Sequence, residues 1–160
     1  MATHIDLIVD QLQREYDGDP WHGSPLRHIL DEVSAAAAAR KPIEDAHSIW
    51  ELVLHITAWK QEVAKRARGG AASEPAAGDW PEVGKPTAPR WRAALDALEA
   101  AHRDLIAAIR SLPEETLQKP TNDTRNRALG TGVSYYVLLH GIVQHDVYHS
   151  GQIAILKKAG

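Results

Sequence analysis

The sequence predicts an all-α protein, a four-helix bundle with a crossover connection between its second and third long helices. Three observations lead there. Every long apolar segment repeats at helical spacing, the breaks between segments are rich in Gly and Pro, and no run shows the period-two alternation of a strand. The 160 residues and the 44% apolar content suit one core, so residues 1–160 are read as a single domain.

Each element has its own signal. Thr3 and Asp6 form a box-like start for a first helix, whose face is Ile5, Ile8, Val9, Leu12 and Tyr16. Gly18 and Pro20 end it. The stretch "WHGSPLRHILDEVSAAAAARKP" reads as loop with short helical pieces, closed by Pro42. A second long helix is expected from about Ala46 to Arg68, with Ile49, Leu52, Ile56 and Val63 as its buried stripe. His55 and Trp59 lie on the shoulder of that stripe. The segment "GGAASEPAAGDWPEVGKPTAP" is a long loop, long enough for helices two and three to run parallel. A third helix starts near Thr87 and Pro89 and carries the seam Trp91, Leu95, Leu98, His102, Leu105 and Ile109. After the loop "PEETLQKPTNDTRNRALGTG", a last helix runs from about Val133 to Lys158. Four long amphipathic helices in one domain make a bundle.

Charge narrows the partners. A formal net charge of −3 lacks the concentrated basic face of a nucleic-acid or membrane-surface binder. No apolar run approaches the ~20 residues of a membrane span. "MATHIDLIVDQLQ" has neither a basic leader nor a cleavable apolar core, so a cytoplasmic location is the expectation. The chain has no cysteine, which removes disulfides, thiolate ligands and a cysteine nucleophile together. Any thiol chemistry here needs an external thiol. The expected partner is a small-molecule substrate, with a homodimer left open.

The chemistry concentrates in histidine. In "HDVYHSGQI", His145 and His149 stand four apart, and Leu138, Ile142, His145, His149, Gln152 and Leu156 share one helix face. Residues four apart place their Cβ atoms ~5–6 Å apart, so both rings can reach one ion at ~2.0–2.1 Å. The alternative is two core histidines hydrogen-bonded elsewhere. A third ligand decides between these, and His55, mid-helix beside a buried stripe, is the best candidate. His102 on the third-helix seam is its competitor. His140 lies roughly opposite the His145 face, while His4, His22, His28 and His47 fall near element ends or in loops.

"SIWELVLHITAWKQEV" together with "LLHGIVQHDVYHSGQIAILKKAG" resembles the DinB-like (YfiT-like) superfamily of metal-dependent enzymes, and "DPWHGSPLRHIL" and the loop "DW" resemble one branch of it. The resemblance spans nearly the whole chain. Its most specific part is a helix-two His followed four residues later by Trp, combined with the late H-x-x-x-H-x-G-Q-I. It implies a four-helix bundle of DinB/YfiT type in which three histidines hold a divalent ion, zinc or nickel. Carried onto this chain, the ligands are His55, His145 and His149, and His102 becomes a pocket or supporting residue. Thiol S-transferases and mycothiol-dependent isomerases among the relatives imply a low-molecular-weight thiol as a further cofactor.

Rival readings are weaker. "HDVYH" resembles the H-E-x-x-H of zinc peptidases, but Asp146 is shorter than Glu and no His, Asp or Glu follows His149 in this chain. A non-haem iron triad needs a carboxylate on the histidine face, and Asp146 points about 100° away from it. A structural metal in a non-catalytic bundle needs a fourth protein ligand, whereas three histidines leave an open position. Trp59, Tyr148 and Gln152 are expected near the ion. Trp21, His22 and Trp80 either cap a core edge or wall a pocket. Arg125 and Arg127 are solvated loop residues or receive an acidic substrate.

Overall fold

The computed structural model describes residues 1–123 and 132–160, and four long helices dominate it. These are α1 (His4–Tyr16), α4 (Ile49–Ala67), α5 (Ala88–Arg110) and α6 (Tyr135–Ala159). Two one-turn helices, α2 (Leu26–Leu30) and α3 (Ala35–Ala39), join α1 to α4, and a 3₁₀ turn (Glu114–Thr116) follows α5. Among the described residues there is no strand, only an isolated antiparallel bridge between Pro120 and Ser134. No helix among them is long and apolar enough to cross a membrane.

Side-chain pairs fix the directions. Trp50 meets Trp91, Lys60 meets His102, and Arg68 meets Asp104, so residue numbers rise together and α4 and α5 run parallel. Tyr16 stacks on His102 while His4 pairs with Glu114, which makes α1 antiparallel to α5. His55 approaches His145 and His149, and Leu52 shares a cleft with Gln152 and Leu156, so α6 returns antiparallel to α4. The order is up, down, down, up. The expected crossover is therefore present, and it has a consequence for the chain between α4 and α5. Parallel helices force that connection to travel back along α4. Ser73 lies against Glu62, Asp79 against His55, and Trp80 against His47.

Capping residues correct two helix starts. Ser48 Oγ accepts from Glu51 N at 3.1 Å and Glu51 Oε2 accepts from Ser48 N at 2.7 Å, a closed capping box. α4 thus begins at Ile49 and not at Ala46; Asp45, with φ 61°, holds the preceding residues in a turn. Ser134 Oγ accepts from Val137 N at 3.3 Å, so α6 begins at Tyr135 and not at Val133. The predicted Thr3–Asp6 box is present at α1.

The interior is two apolar clusters. One gathers Leu26, Leu30, Trp50, Ile56, Leu98 and Ile153; the other gathers Ile8, Leu12, Val63, Leu105, Leu139 and Ile142. Between them, on all four long helices, lie the buried polar residues Glu15, Lys60, His102, Asp146 and Ser150. The expected α6 face is rotated slightly. Leu139, Ile142, Asp146 and Ile153 form the deepest line, and His145 sits at its edge with a quarter of its side chain exposed.

Candidate metal centre

Helix geometry delivers the three imidazoles. α4 contributes His55 with Trp59 one turn on, and antiparallel α6 contributes His145 and His149 one turn apart. One nitrogen from each ring lies within 4.8 Å of the others, and His55 Nε2 is 3.0 Å from His145 Nε2. His102 does not join them.

The outer nitrogens are held by oxygen. His55 Nδ1 donates to the backbone carbonyl of Asp79 at 2.6 Å, and His149 Nδ1 donates to Gln152 Oε1 at 2.6 Å. Each bond puts the proton on Nδ1 and leaves Nε2 as a lone pair, the state a metal requires. Burial pushes the His55 ring below its ordinary titration range, against the pull of the Asp79 carbonyl. It takes His149 down to about 4, helped by the neighbouring rings and opposed by Gln152. Both are therefore neutral bases at neutral pH. This donor set fits a divalent metal ion.

Aromatic rings wall the group. Trp80 lies flat between His47 and His55, with ring centroids 3.5 and 4.0 Å away. Trp59 stands edge-on to His55 and donates from Nε1 to Asp79 Oδ1 at 2.8 Å. Asp79 thereby ties the crossover loop to α4 through both its backbone and its side chain. Tyr148 is exposed and presents its ring edge-to-face to His149 at 5.0 Å. A cleft of about 320 Å³ adjoins this wall, lined by Ile43, Leu52, Ile155 and Leu156 with His47 and Gln152 at its polar side.

Beneath the histidines lies a polar layer built around one buried ion pair. Lys60 Nζ donates to Asp146 Oδ2, and both side chains are wholly buried. Lys60 also lies 3.3 Å from His102 Nδ1. Since an ammonium has only donors, that nitrogen accepts and the His102 proton is on Nε2. Burial, with Lys60 adding to it and Asp146 opposing, lowers His102 to about 3. Burial alone would raise the Asp146 carboxyl; the Lys60 ammonium, with the neighbouring His145 ring adding to it, turns the balance and holds it below its ordinary value. Glu15 accepts from Ser150 Oγ, and burial together with the Asp146 charge raises it to about 7.

The placement of the expected residues divides cleanly. His55, His145, His149, Trp59, Gln152 and Tyr148 come together, and Trp80 joins them. His102 is buried one layer below, on Lys60 and Tyr16. Trp21 and His22 go elsewhere: both are exposed and line a cavity of about 600 Å³ beside Glu15, Val143 and Val147. Val143 and Val147 lie on the far side of α6 from the histidines, so the two loop residues wall no part of this site. The His140 ring lies tilted against Tyr136, and Arg125 and Arg127 lie outside the described residues. His47, expected near an element end or in a loop, is exposed and stacks on Trp80.

The buried pair Lys60 and Asp146 has a signal in the sequence. Lys60 occupies the stripe position between Ile56 and Val63, and Asp146 the one between Ile142 and Ile153. A charge of each sign at core positions of two helices is a pairing signal. Asp79 carried no such mark, because its main contact to the site is a backbone carbonyl.

A helical bundle with three converging histidines defines a protein able to hold one divalent ion at its core edge. The sequence profile of the DinB superfamily matches residues 21–153, which include all three histidines, and the chain belongs to that superfamily. No functionally curated protein and no solved structure matches it.

Proposed function

We propose that this protein is a metal-dependent enzyme that transfers a low-molecular-weight thiol to a small electrophile, with zinc or nickel held by His55, His145 and His149. The observation that carries the reading is the pair of Nδ1 hydrogen bonds on His55 and His149, which commit both Nε2 lone pairs to a common point. When bound, the ion supplies Lewis acidity that lowers the pKa of a thiol or water beside it. The residues around it do the rest. Three neutral ligands leave a coordination position free, and the partly exposed His145 marks the side open to solvent. Trp59, Trp80 and Tyr148 shield the histidines from water, and the adjoining apolar cleft offers a seat for the electrophile's hydrocarbon part.

The reaction is a substitution. A sulfur–carbon bond forms, the leaving group departs with the electron pair of its own bond, and the thiol proton passes to solvent. With no cysteine in the chain, the sulfur comes from a soluble thiol, which suits a cytoplasmic setting.

The test incubates zinc- or nickel-loaded protein with 1-chloro-2,4-dinitrobenzene, with and without glutathione, bacillithiol or mycothiol. Thioether product that disappears after chelation and returns with the metal is the expected result. Thiol-independent turnover of esters or amides by the loaded protein would replace this reading with that of a hydrolase.

A further inference from the structure

Each ligand imidazole needs its second nitrogen protonated if the first is to face the ion, and two of the three have an oxygen acceptor for that proton. The third does not. Among the described residues, His145 Nδ1 is buried and makes no hydrogen bond, and Asp146 Oδ1 is buried and also makes none. These two atoms, a donor and an acceptor without partners, lie 3.8 Å apart. That is about 1 Å longer than a charge-assisted bond, a gap that rotation of the partly exposed His145 ring closes.

We propose that Asp146, clamped by Lys60, is the positioning residue for His145: Oδ1 accepts the Nδ1–H of that ring and so directs its Nε2 to the ion. The inference rests on the metal-site reading above. Lys60 is what makes the carboxylate a fixed point. Its ammonium donates to Oδ2, leaving Oδ1 as the free atom, and it also reaches His102 Nδ1 at 3.3 Å. Neither Lys60 nor Asp146 has exposed side-chain surface, so bulk water does not compete for Oδ1.

A purely structural ion pair does not account for the arrangement. Buried pairs are commonly replaceable by apolar residues without loss of stability, and an unsatisfied buried oxygen is itself costly. Placing that oxygen next to the one ligand ring that lacks an acceptor gives both atoms a use. An anionic acceptor also makes the imidazole a stronger donor to a cation, and such outer contacts typically change metal affinity roughly 10- to 100-fold. The three acceptors would then be a backbone carbonyl, an amide and a carboxylate, one for each histidine.

The test separates this role from a structural one. In the double variant Lys60→Met/Asp146→Leu both charges leave together, so no buried charge is stranded. We expect its metal-free melting temperature to equal or exceed that of the wild type while zinc affinity, measured by chelator competition, falls roughly 10- to 100-fold. Asp146→Asn, which keeps an acceptor oxygen, should fall between the two. Imidazole ¹H–¹⁵N spectra of zinc-loaded wild type should show His145 protonated at Nδ1, with a downfield proton that the double variant lacks. Wild-type zinc affinity in the folded double variant would overturn the proposal. So would a wild-type spectrum with His145 bound to zinc through Nδ1, which needs no variant to fold. His145→Ala serves as the control: if it loses zinc and the double variant does not, the metal site stands and only this inference fails. If it keeps zinc, both fail.

Discussion

His55 Nε2 and His145 Nε2 face each other at 3.0 Å across the groove between α4 and α6. The Asp79 carbonyl holds the His55 proton on Nδ1, so the His55 side of this contact is a lone pair. Such a contact is favourable only when something positive lies between the nitrogens, a shared proton or a cation. With His149 adjacent, a cation satisfies all three rings and a proton only two.

The first prediction is one divalent ion per chain. His55→Ala, His145→Ala and His149→Ala should each lose most bound metal, whereas His102→Ala, which alters the layer below, should retain it. Elemental analysis of the purified variants gives the answer, and undiminished metal in His145→Ala would rule out the assignment.

Gln152 touches the histidine group through His149 Nδ1. Replacing it by Leu removes the acceptor of the 2.6 Å bond from Nδ1 while keeping a similar volume at a half-buried position. Metal affinity should fall roughly 10- to 100-fold with little change in melting temperature. A drop in melting temperature of the metal-free protein with unchanged affinity would show a packing role instead.

Protons compete with the metal for these rings, so binding weakens as pH falls. The onset is set by environment. His149 is held down to about 4 and His55 below its ordinary value of 6.5, chiefly by burial. Their share of the loss should thus appear below the ~6.5 of a free imidazole. Affinity titrations across this range check it, and affinity unchanged from about pH 8 down to about pH 3 would argue against imidazole ligation.

His102 makes folding itself pH-dependent. Its folded value of about 3 lies below the 6.5 of the unfolded chain, so between these limits the unfolded state binds one more proton. Stability from this site is therefore complete above pH 6.5 and declines as pH falls towards 3. The slope is about 1.4 kcal/mol per pH unit. In urea denaturation of metal-free protein at about pH 7 and pH 5, His102→Gln should reduce the acid loss by on the order of 2 kcal/mol. Gln keeps an acceptor for Lys60. An unchanged pH slope in this variant would mean that His102 titrates normally.

The sequence by itself determined the helices, their order and the candidate ligands. Periodicity, caps and Gly/Pro breaks are local properties, and they located α1, α4, α5 and α6 to within a few residues. The i, i+4 spacing of His145 and His149 is likewise local. The long Gly/Pro-rich loop allowed parallel α4 and α5, and the family likeness agreed with the choice of His55 over His102.

Only the tertiary structure decided what surrounds those ligands. Where α6 turns its deepest face depends on packing against three other helices, and that left His145 at the edge and Asp146 inside. Asp79 and Trp80 reach His55 because the return path of a crossover loop passes the middle of α4, and no residue pattern encodes a backbone carbonyl's direction. Trp21 and His22 went to the opposite side of α6, although their loop composition is as suggestive as that of Trp80. Which loop meets which helix face depends on contacts between residues far apart in the chain, and a one-dimensional pattern does not hold that information.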